Sequence, residues 1–319
     1  TNAQSFGVYS TYTSSTSYER LNFKGKAGAN FELGPENGSA GGTLRGLTIG
    51  GYPAGTSTVV GWAQFRPNTS TGALEGFICG SGNTAAGTNA YAIGVNNVSS
   101  GSVSFNFGYT GTASGQNSIC LSNSGSLASG AYSVCAGRSS TASGESSFSL
   151  STAGIQSGFY STGIGYRPVT TRMNMFAHGA NFIDPFSGVE TSQFVRFIVS
   201  KKTTDATPTT LMLDAASTRL TIVSGRVLSV QCRITGIKSD GSAVANYVRR
   251  VVIKNVGGTT ALVGTVETIG TDIEDSAACD VAITADDAND ALQINVTGIA
   301  AETWRWVAVV EGLEIAYGT

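Results

Sequence analysis

His178 is the one histidine in a chain of 319 residues that also holds five cysteines, three tryptophans and 21 acidic residues. The stock of groups able to do chemistry is therefore short. A Ser-His-Asp triad needs an imidazole between a nucleophile and an orienting acid. His178 instead occupies an outward position just before Gly179, which reads as a capping contact at the end of a repeat array. Asp286, Asp287 and Asp290 in A-D-D-A-N-D could offer oxygens to calcium, but they lack EF-hand spacing and read as solvated turn carboxylates, as does D-I-E-D at 272–275. A glycosidase pair requires two carboxyl groups across one bond. No spacing here places two acids face to face, and the repeat region offers only Glu75 and Glu145. No catalytic residue, metal ligand or cofactor is assigned.

Trp304 and Trp306 flank Arg305, so in a strand both rings share one face. They suit either a sugar platform or, better given W-V-A-V-V, a core or an interface. Five cysteines, an odd number, make no disulfide framework. Cys120 and Cys135 hold equivalent repeat positions and read as small apolar fillers. Cys79, Cys232 and Cys279 lie too far apart, with one histidine, to suggest zinc.

These groups must be positioned by what surrounds them, and from residue 72 to 179 the surroundings repeat about every fourteen residues. Each copy reads small-Gly-x-x-small-x-small-x-small. The leading glycines are Gly87, Gly101, Gly115, Gly130, Gly144 and Gly158, and the second small positions are Gly94, Gly108, Ser122, Gly137, Ser151 and Gly165. The last copy carries Arg172 in place of its leading glycine. A fixed period of this length means stacked units that cover one another. Fourteen residues accommodate two strands of about five and two tight turns. The third and fifth positions after each leading glycine are Ala, Ser, Cys, Asn or Gly, which places them inside a narrow roll. Tyr91, Ile93, Phe105, Phe107, Ile119, Tyr132, Phe148 and Ile164 then face outward and need cover from other copies of the chain.

S-G-A-Y-S-V-C-A-G at 129–137 and A-G-T-N-A-Y-A-I-G at 86–94 resemble the head repeat of trimeric autotransporter adhesins. That resemblance implies a left-handed parallel β-roll assembled as a trimer. Ahead of the repeats, Tyr12, Tyr18, Glu19, Arg20 and Leu21, then Phe31, Leu33, Gly34, Thr43, Arg45, Leu47 and Ile49, follow a pattern similar to shaft segments of bacteriophage tail fibres and tailspikes. On this reading Thr1 is an internal cut, and upstream tail or baseplate proteins attach through a region before it.

Charged residues are 13% of the chain and the net charge is −2, against about 25% charged residues in ordinary domains. Only Glu75, Arg138, Glu145, Arg167 and Arg172 fall between 72 and 179. Such a chain has no electrostatic footprint for nucleic acid. It also lacks a run of eighteen apolar residues and a signal segment, so no membrane insertion is expected. Beyond a turn-rich joint, N-F-I-D-P-F-S-G, short alternating β runs extend to the end, as in an antiparallel sandwich or jelly roll.

The expectation is an all-β, elongated homotrimer: a β shaft at 1–71, a parallel β-roll and joint at 72–191, and a jelly-roll-like β-sandwich tip at 192–319. The resemblances imply a fragment of a virion tail fibre, assembled in the host cytoplasm. It would act at the host surface as a non-enzymatic binder of a glycan or outer-membrane protein. Recognition is expected in exposed loops such as 238–246 and 271–276, with no contact residue assigned. A tailspike depolymerase and a bacterial trimeric adhesin head are the alternatives.

Overall fold

A computed structural model describes the backbone at residues 4–14, 17–25, 31–37, 47–51, 60–67, 74–182 and 191–316, and side chains at 76–179 and 192–316. The described residues are all-β apart from one 3-10 turn at Asp287–Asn289. No helix among them is long and apolar enough to cross a membrane. The chain divides into two compact units, Thr1–Ser129 and Gly130–Thr319.

The first unit opens with three antiparallel strands, Gln4–Ser14, Ser17–Gly25 and Phe31–Asn37, in which Tyr12 pairs with Tyr18 and Phe23 with Leu33. Thr43 and Arg45 of the shaft-like motif lie outside the described residues, as does most of the joint after Phe182. A second antiparallel run, Leu47–Gly51, Val60–Pro67 and Leu74–Ser81, leads into parallel turns at Ala90–Val95, Phe105–Tyr109 and Ile119–Ser124. Register follows the repeat, with Phe105 opposite both Tyr91 and Ile119. The second unit carries the same arrangement at Val134–Arg138, Phe148–Thr152, Thr162–Tyr166 and Phe176–Phe182. A two-residue strand completes each turn, and the described residues hold seven of these. The solenoid expected from the repeat is therefore present.

The inner positions are the small ones the period singles out. Ala90, Ala92, Ser104, Asn106, Ser118 and Cys120 are fully buried in the first unit, and so are Ser133, Cys135, Ser149 and Ser161 in the second. The outward residues stay open, with Phe107 53%, Leu150 54% and Tyr160 55% exposed. One expectation is corrected: the second strand of each turn spans two residues, as at Val98–Ser99 or Ile155–Gln156, and not about five. The missing residues are spent on corners. Nearly every turn holds two left-handed residues, such as Asn96 and Val103, or Ala153 and Tyr160, and each reverses the chain within a residue or two.

The leading glycines have a different cause. A Cβ on Gly101 would lie 2.0 Å from the carbonyl oxygen of Gly115, and one on Gly144 would lie 2.2 Å from that of Gly158. Close approach of successive turns, not torsion, excludes a side chain there. Within the first unit an asparagine ladder satisfies one inner corner. Asn97 donates to the carbonyls of Ile93 and Gly108, both at 2.8 Å. Its oxygen accepts from the Gly111 amide at 2.9 Å, while its own amide donates to Asn83 at 2.9 Å.

In the second unit the last solenoid strand turns antiparallel onto Thr191–Thr203. From there a sheet of thirteen-residue strands is built in the order Thr191–Thr203, Trp304–Ala316, Arg226–Lys238, Val244–Val256. A smaller antiparallel sheet joins Ala291–Thr297 to Asp280–Asp286, Thr209–Thr210 and Leu220–Thr221. Inward residues of both sheets form one apolar core, including Phe197, Leu228, Ile234 and Trp306 from the larger and Leu220, Ile283, Ile294 and Val296 from the smaller. Full burial of side chains of this size contributes roughly 1.5–3 kcal/mol each.

Candidate functional site

Where the last two solenoid turns meet the C-terminal sheets, a cleft of about 390 Å3 opens. One wall comes from the repeat: Ser157 and Phe159 on one turn, Thr171 and Met173 on the next. Fourteen-residue stacking aligns them, since Ile155 pairs with Val169 and Gln156 with Thr170 just upstream. The other wall is the segment from Leu213 to Thr221, folded back by a bond from the Leu213 amide to the Thr218 carbonyl at 2.8 Å. Asp214 caps this turn, accepting from the amides of Ala216, Ser217 and Thr218 and from the Thr218 hydroxyl at 2.7–2.9 Å. Those bonds hold its carboxyl well below the ordinary range. Two links staple the walls together: Asn174 Nδ2 donates to the Leu213 carbonyl at 2.8 Å, and Arg172 Nη1 donates to the Thr221 carbonyl at 3.1 Å.

Arg172 lines the inner end of the cleft and is 5% exposed. Its guanidinium lies over the Phe197 ring at 4.8 Å and donates to fully buried Glu314. Glu314 also accepts from Gln193 at 2.6 Å and Arg226 at 3.1 Å. Gln193 in turn exchanges two 2.9 Å bonds with the backbone of Val169. Burial pulls the Arg172 pKa below its ordinary value, and Glu314 opposes the shift. At the mouth stands Arg219, with its side chain 32% exposed and Nη1 3.2 Å from Asp286. The arrangement offers one aromatic wall, hydroxyls on both sides, a fixed buried cation and an accessible one. It can bind a polar ligand with an apolar face.

The residues singled out from the sequence fall elsewhere. His178 is exposed on the outer face, level with Ile164 and Phe194. Trp304 and Trp306 do share a face, with ring centroids 5.6 Å apart, but both are buried and donate to Glu302 and Thr203. No sugar can reach them. The three aspartates are committed within the fold. Asp286 contacts Arg219, Asn289 and Gln293, while Asp287 and Asp290 accept from Thr260. The loop at 271–276 is pinned as an edge to Val244–Val256, where Asp272 receives two bonds from Arg249 at 2.6 and 2.8 Å and Glu274 one from Tyr247. The loop at 238–246 is a hairpin turn held by Asp240 and by the pair between Lys238 and Glu302 at 3.0 Å. Cys120 and Cys135 are buried, their thiols donating to the carbonyls of Ser126 at 3.4 Å and Ser140 at 3.2 Å.

Sequence reasoning missed Arg219, Phe159 and the carboxylate behind Arg172. A signal for the last existed: Glu314 has the inward parity of Trp304, Trp306, Ala308 and Val310, so an acid there required a buried partner.

No family model matches the sequence, and neither does any curated protein. Among solved structures, the chain is similar to a tailspike protein of Acinetobacter baumannii bacteriophage Fri1, a capsular polysaccharide depolymerase. The identity is 10% and the TM-score 0.26, over 76% of this chain and 45% of that one. It is also similar to the tailspike protein of Acinetobacter baumannii phage AM24, at 7% identity and a TM-score of 0.24, over 72% and 53%. The chain thus spans about half the length of the structures it matches. One expectation is corrected by the first of these: with a depolymerase among the matches, the chain is not classed as non-enzymatic. That expectation rested on sequence spacing, which set no two acids face to face; tertiary packing brings Asp214 and Asp286, from separate segments, beside the cleft.

Proposed function

We propose that this chain is part of a phage tail protein that recognises polysaccharide on the host surface, with the cleft between the solenoid turns and the C-terminal sheets as a saccharide site. The observation that carries the reading is the cleft itself, where half-exposed Phe159 faces a hydroxyl-bearing wall closed by Arg172 and Arg219. Pyranose rings present an apolar face and a fringe of hydroxyls, and such a site suits both. Its volume lies in the range of ligand pockets, roughly 300–1,000 Å3. The solenoid is a stiff support whose outer face carries almost no charge.

Several finer features belong to the same proposal. The chain comprises a shaft at 1–71, a roll at 72–191 and a sandwich tip at 192–319, and it sits in the virion tail, joined to upstream tail proteins. It works as a homotrimer, because exposed Phe107, Leu121, Leu150 and Tyr160 form apolar outer columns of the kind that mark interfaces. Three copies would present three clefts and gain avidity. The test is to incubate the protein with purified host capsular polysaccharide, measuring binding by sedimentation and new reducing ends by a chemical assay. Binding supports the reading, and chain cleavage alongside it makes the protein a depolymerase. Absence of both on every host surface polysaccharide sinks it.

A further inference from the structure

The cleft holds more than a generic sugar site, and its charge decides between sugar classes. Three guanidinium groups, Arg172, Arg219 and Arg226, are arranged around two carboxylates, Glu314 and Asp286. The carboxylate of Glu314 is fully buried and spent on Arg172, Arg226 and Gln193. Asp286 Oδ2 is shared among Arg219, Asn289 and Gln293. Asp214, in the wall segment, is turned onto the amides and hydroxyl of its own loop. The Glu314 and Asp286 carboxylates are thus engaged within the fold, and the exposed Asp214 carboxylate is engaged by its own turn, while a cation stands at the mouth.

Resting on the function proposed above, we infer that the cleft is selective for a carboxylated sugar, such as a uronic acid residue of an acidic polysaccharide, with Arg219 as the specificity-determining group. Asp286 approaches Arg219 at Nη1, 3.2 Å away, and among the described residues Nε and Nη2 make no hydrogen bond. A guanidinium presents five donors in a planar fork that matches a carboxylate in two-point contact, so Nε and Nη2 remain to receive the sugar acid. Phe159, 51% exposed on the opposite wall, covers the apolar face of the same ring. Arg172 does not reach out. It adds fixed positive charge at the inner end, where burial weakens screening, and so favours an anion over a neutral sugar. Thr171 and Thr218 serve ring hydroxyls.

Oligogalacturonate and a neutral galacto-oligosaccharide of equal length, titrated into the whole protein by calorimetry, test this. Arg219→Ala, Arg219→Lys and Phe159→Ala are assayed in parallel, together with binding of each protein to encapsulated and capsule-stripped host cells. The acidic probe should bind at least about tenfold tighter than the neutral one. Arg219→Ala should abolish that preference, and Arg219→Lys should restore only part of it, since a lysine offers a point charge and not a fork. Phe159→Ala should weaken both probes alike. Because Arg219 and Phe159 are partly exposed, melting temperatures should hold and show that the variants fold. Equal affinity for both probes, or an undiminished preference in Arg219→Ala, overturns the inference. If capsule-dependent cell binding survives unchanged in Arg219→Ala and Phe159→Ala, the inference falls while polysaccharide recognition stands. If the wild type ignores capsule and both probes, both fall.

Discussion

Arg172 and Glu314 lie 142 residues apart in sequence and meet in a buried ion pair that ties the last solenoid turn to the final strand. Removing Glu314 strands the Arg172 guanidinium, and removing Arg172 leaves Glu314 with Arg226 and Gln193 alone; breaking a buried pair costs about 3–5 kcal/mol. Arg172→Met and Glu314→Gln should each lower the melting temperature of the second unit sharply, and added salt should change the deficit little, because the groups are screened from solvent. The triple variant Arg172→Met, Glu314→Leu and Arg226→Met, which removes all three charges of the cluster, should recover much of the loss. Thermal unfolding followed by circular dichroism at low and high salt checks both statements.

The corner glycines give a second expectation. Gly144→Ala would drive a methyl group to 2.2 Å from the Gly158 carbonyl oxygen, so successive turns must part and ladder bonds must lengthen. A loss above about 2 kcal/mol is expected, within the range for overpacking. Gly225, at φ +83° with nothing near its missing Cβ, should lose only about 1 kcal/mol as alanine, the torsional cost of a left-handed site. Chemical denaturation of the two variants would separate them, and equal losses would refute the packing argument.

Thiol reactivity should be nearly silent in the folded protein. Cys120, Cys135, Cys232 and Cys279 are buried, and Cys79 alone is intermediate. Burial pushes the Cys232 thiol up to about 12 and Cys279 up to about 11, and the thiolate is the reactive form. At pH 8 a maleimide should label at most one of the five cysteines. Unfolding in guanidinium should release the rest. Rapid native labelling of a second thiol would contradict the burial described here.

The outer columns make a prediction about assembly. Leu150→Lys replaces a side chain that is already 54% exposed in one copy, so the fold itself should lose little stability. If the columns bury against other copies, the same change must place three charges in an apolar seam. Light scattering should show the wild type as a concentration-independent trimer and the variant as a monomer or a dissociating species. A monomeric wild type would end the trimer proposal.

Acid should weaken the C-terminal sheets. Arg249 holds the Asp272 carboxyl below its ordinary value, Lys238 does the same for Glu302, and loop hydrogen bonds do so for Asp214. A depressed folded-state pKa contributes stability above the unfolded value, near 4, and loses it as pH falls through the folded one. Melting temperature should therefore be flat from about pH 7 to 5 and decline below about 4. Asp272→Asn should start lower and decline less.

The solenoid was legible because its period is a spatial repeat. Small residues three and five places after each glycine had to be inside, and Ala90, Ala92, Ser133 and Cys135 are. The short second strand was not legible, because left-handed corners at Val103, Thr110 and Tyr132 use residues that rarely adopt such torsions. Strand parity placed Trp304 and Trp306 on one face but could not say that Gly236 would leave room for the Trp306 ring. The cleft escaped for a plainer reason. Phe159, Arg172 and Arg219 come from separate stretches of the chain, and only tertiary packing through Asn174 and Glu314 brings the walls together.

Arg172 also acts as a stop mark. At the earlier corners Gly87, Gly101, Gly130 and Gly144 a side chain would strike the next turn, and at Gly158 it would strike the carbonyl of Arg172 itself. A residue with a side chain at this corner thus ends the stack and hands the chain to the sheet. The number of turns becomes modular. Whole fourteen-residue units inserted between Ser157 and Gly158 would lengthen the scaffold while leaving the terminating corner and its latch to Glu314 intact. Any unit added after Arg172 would have no seat.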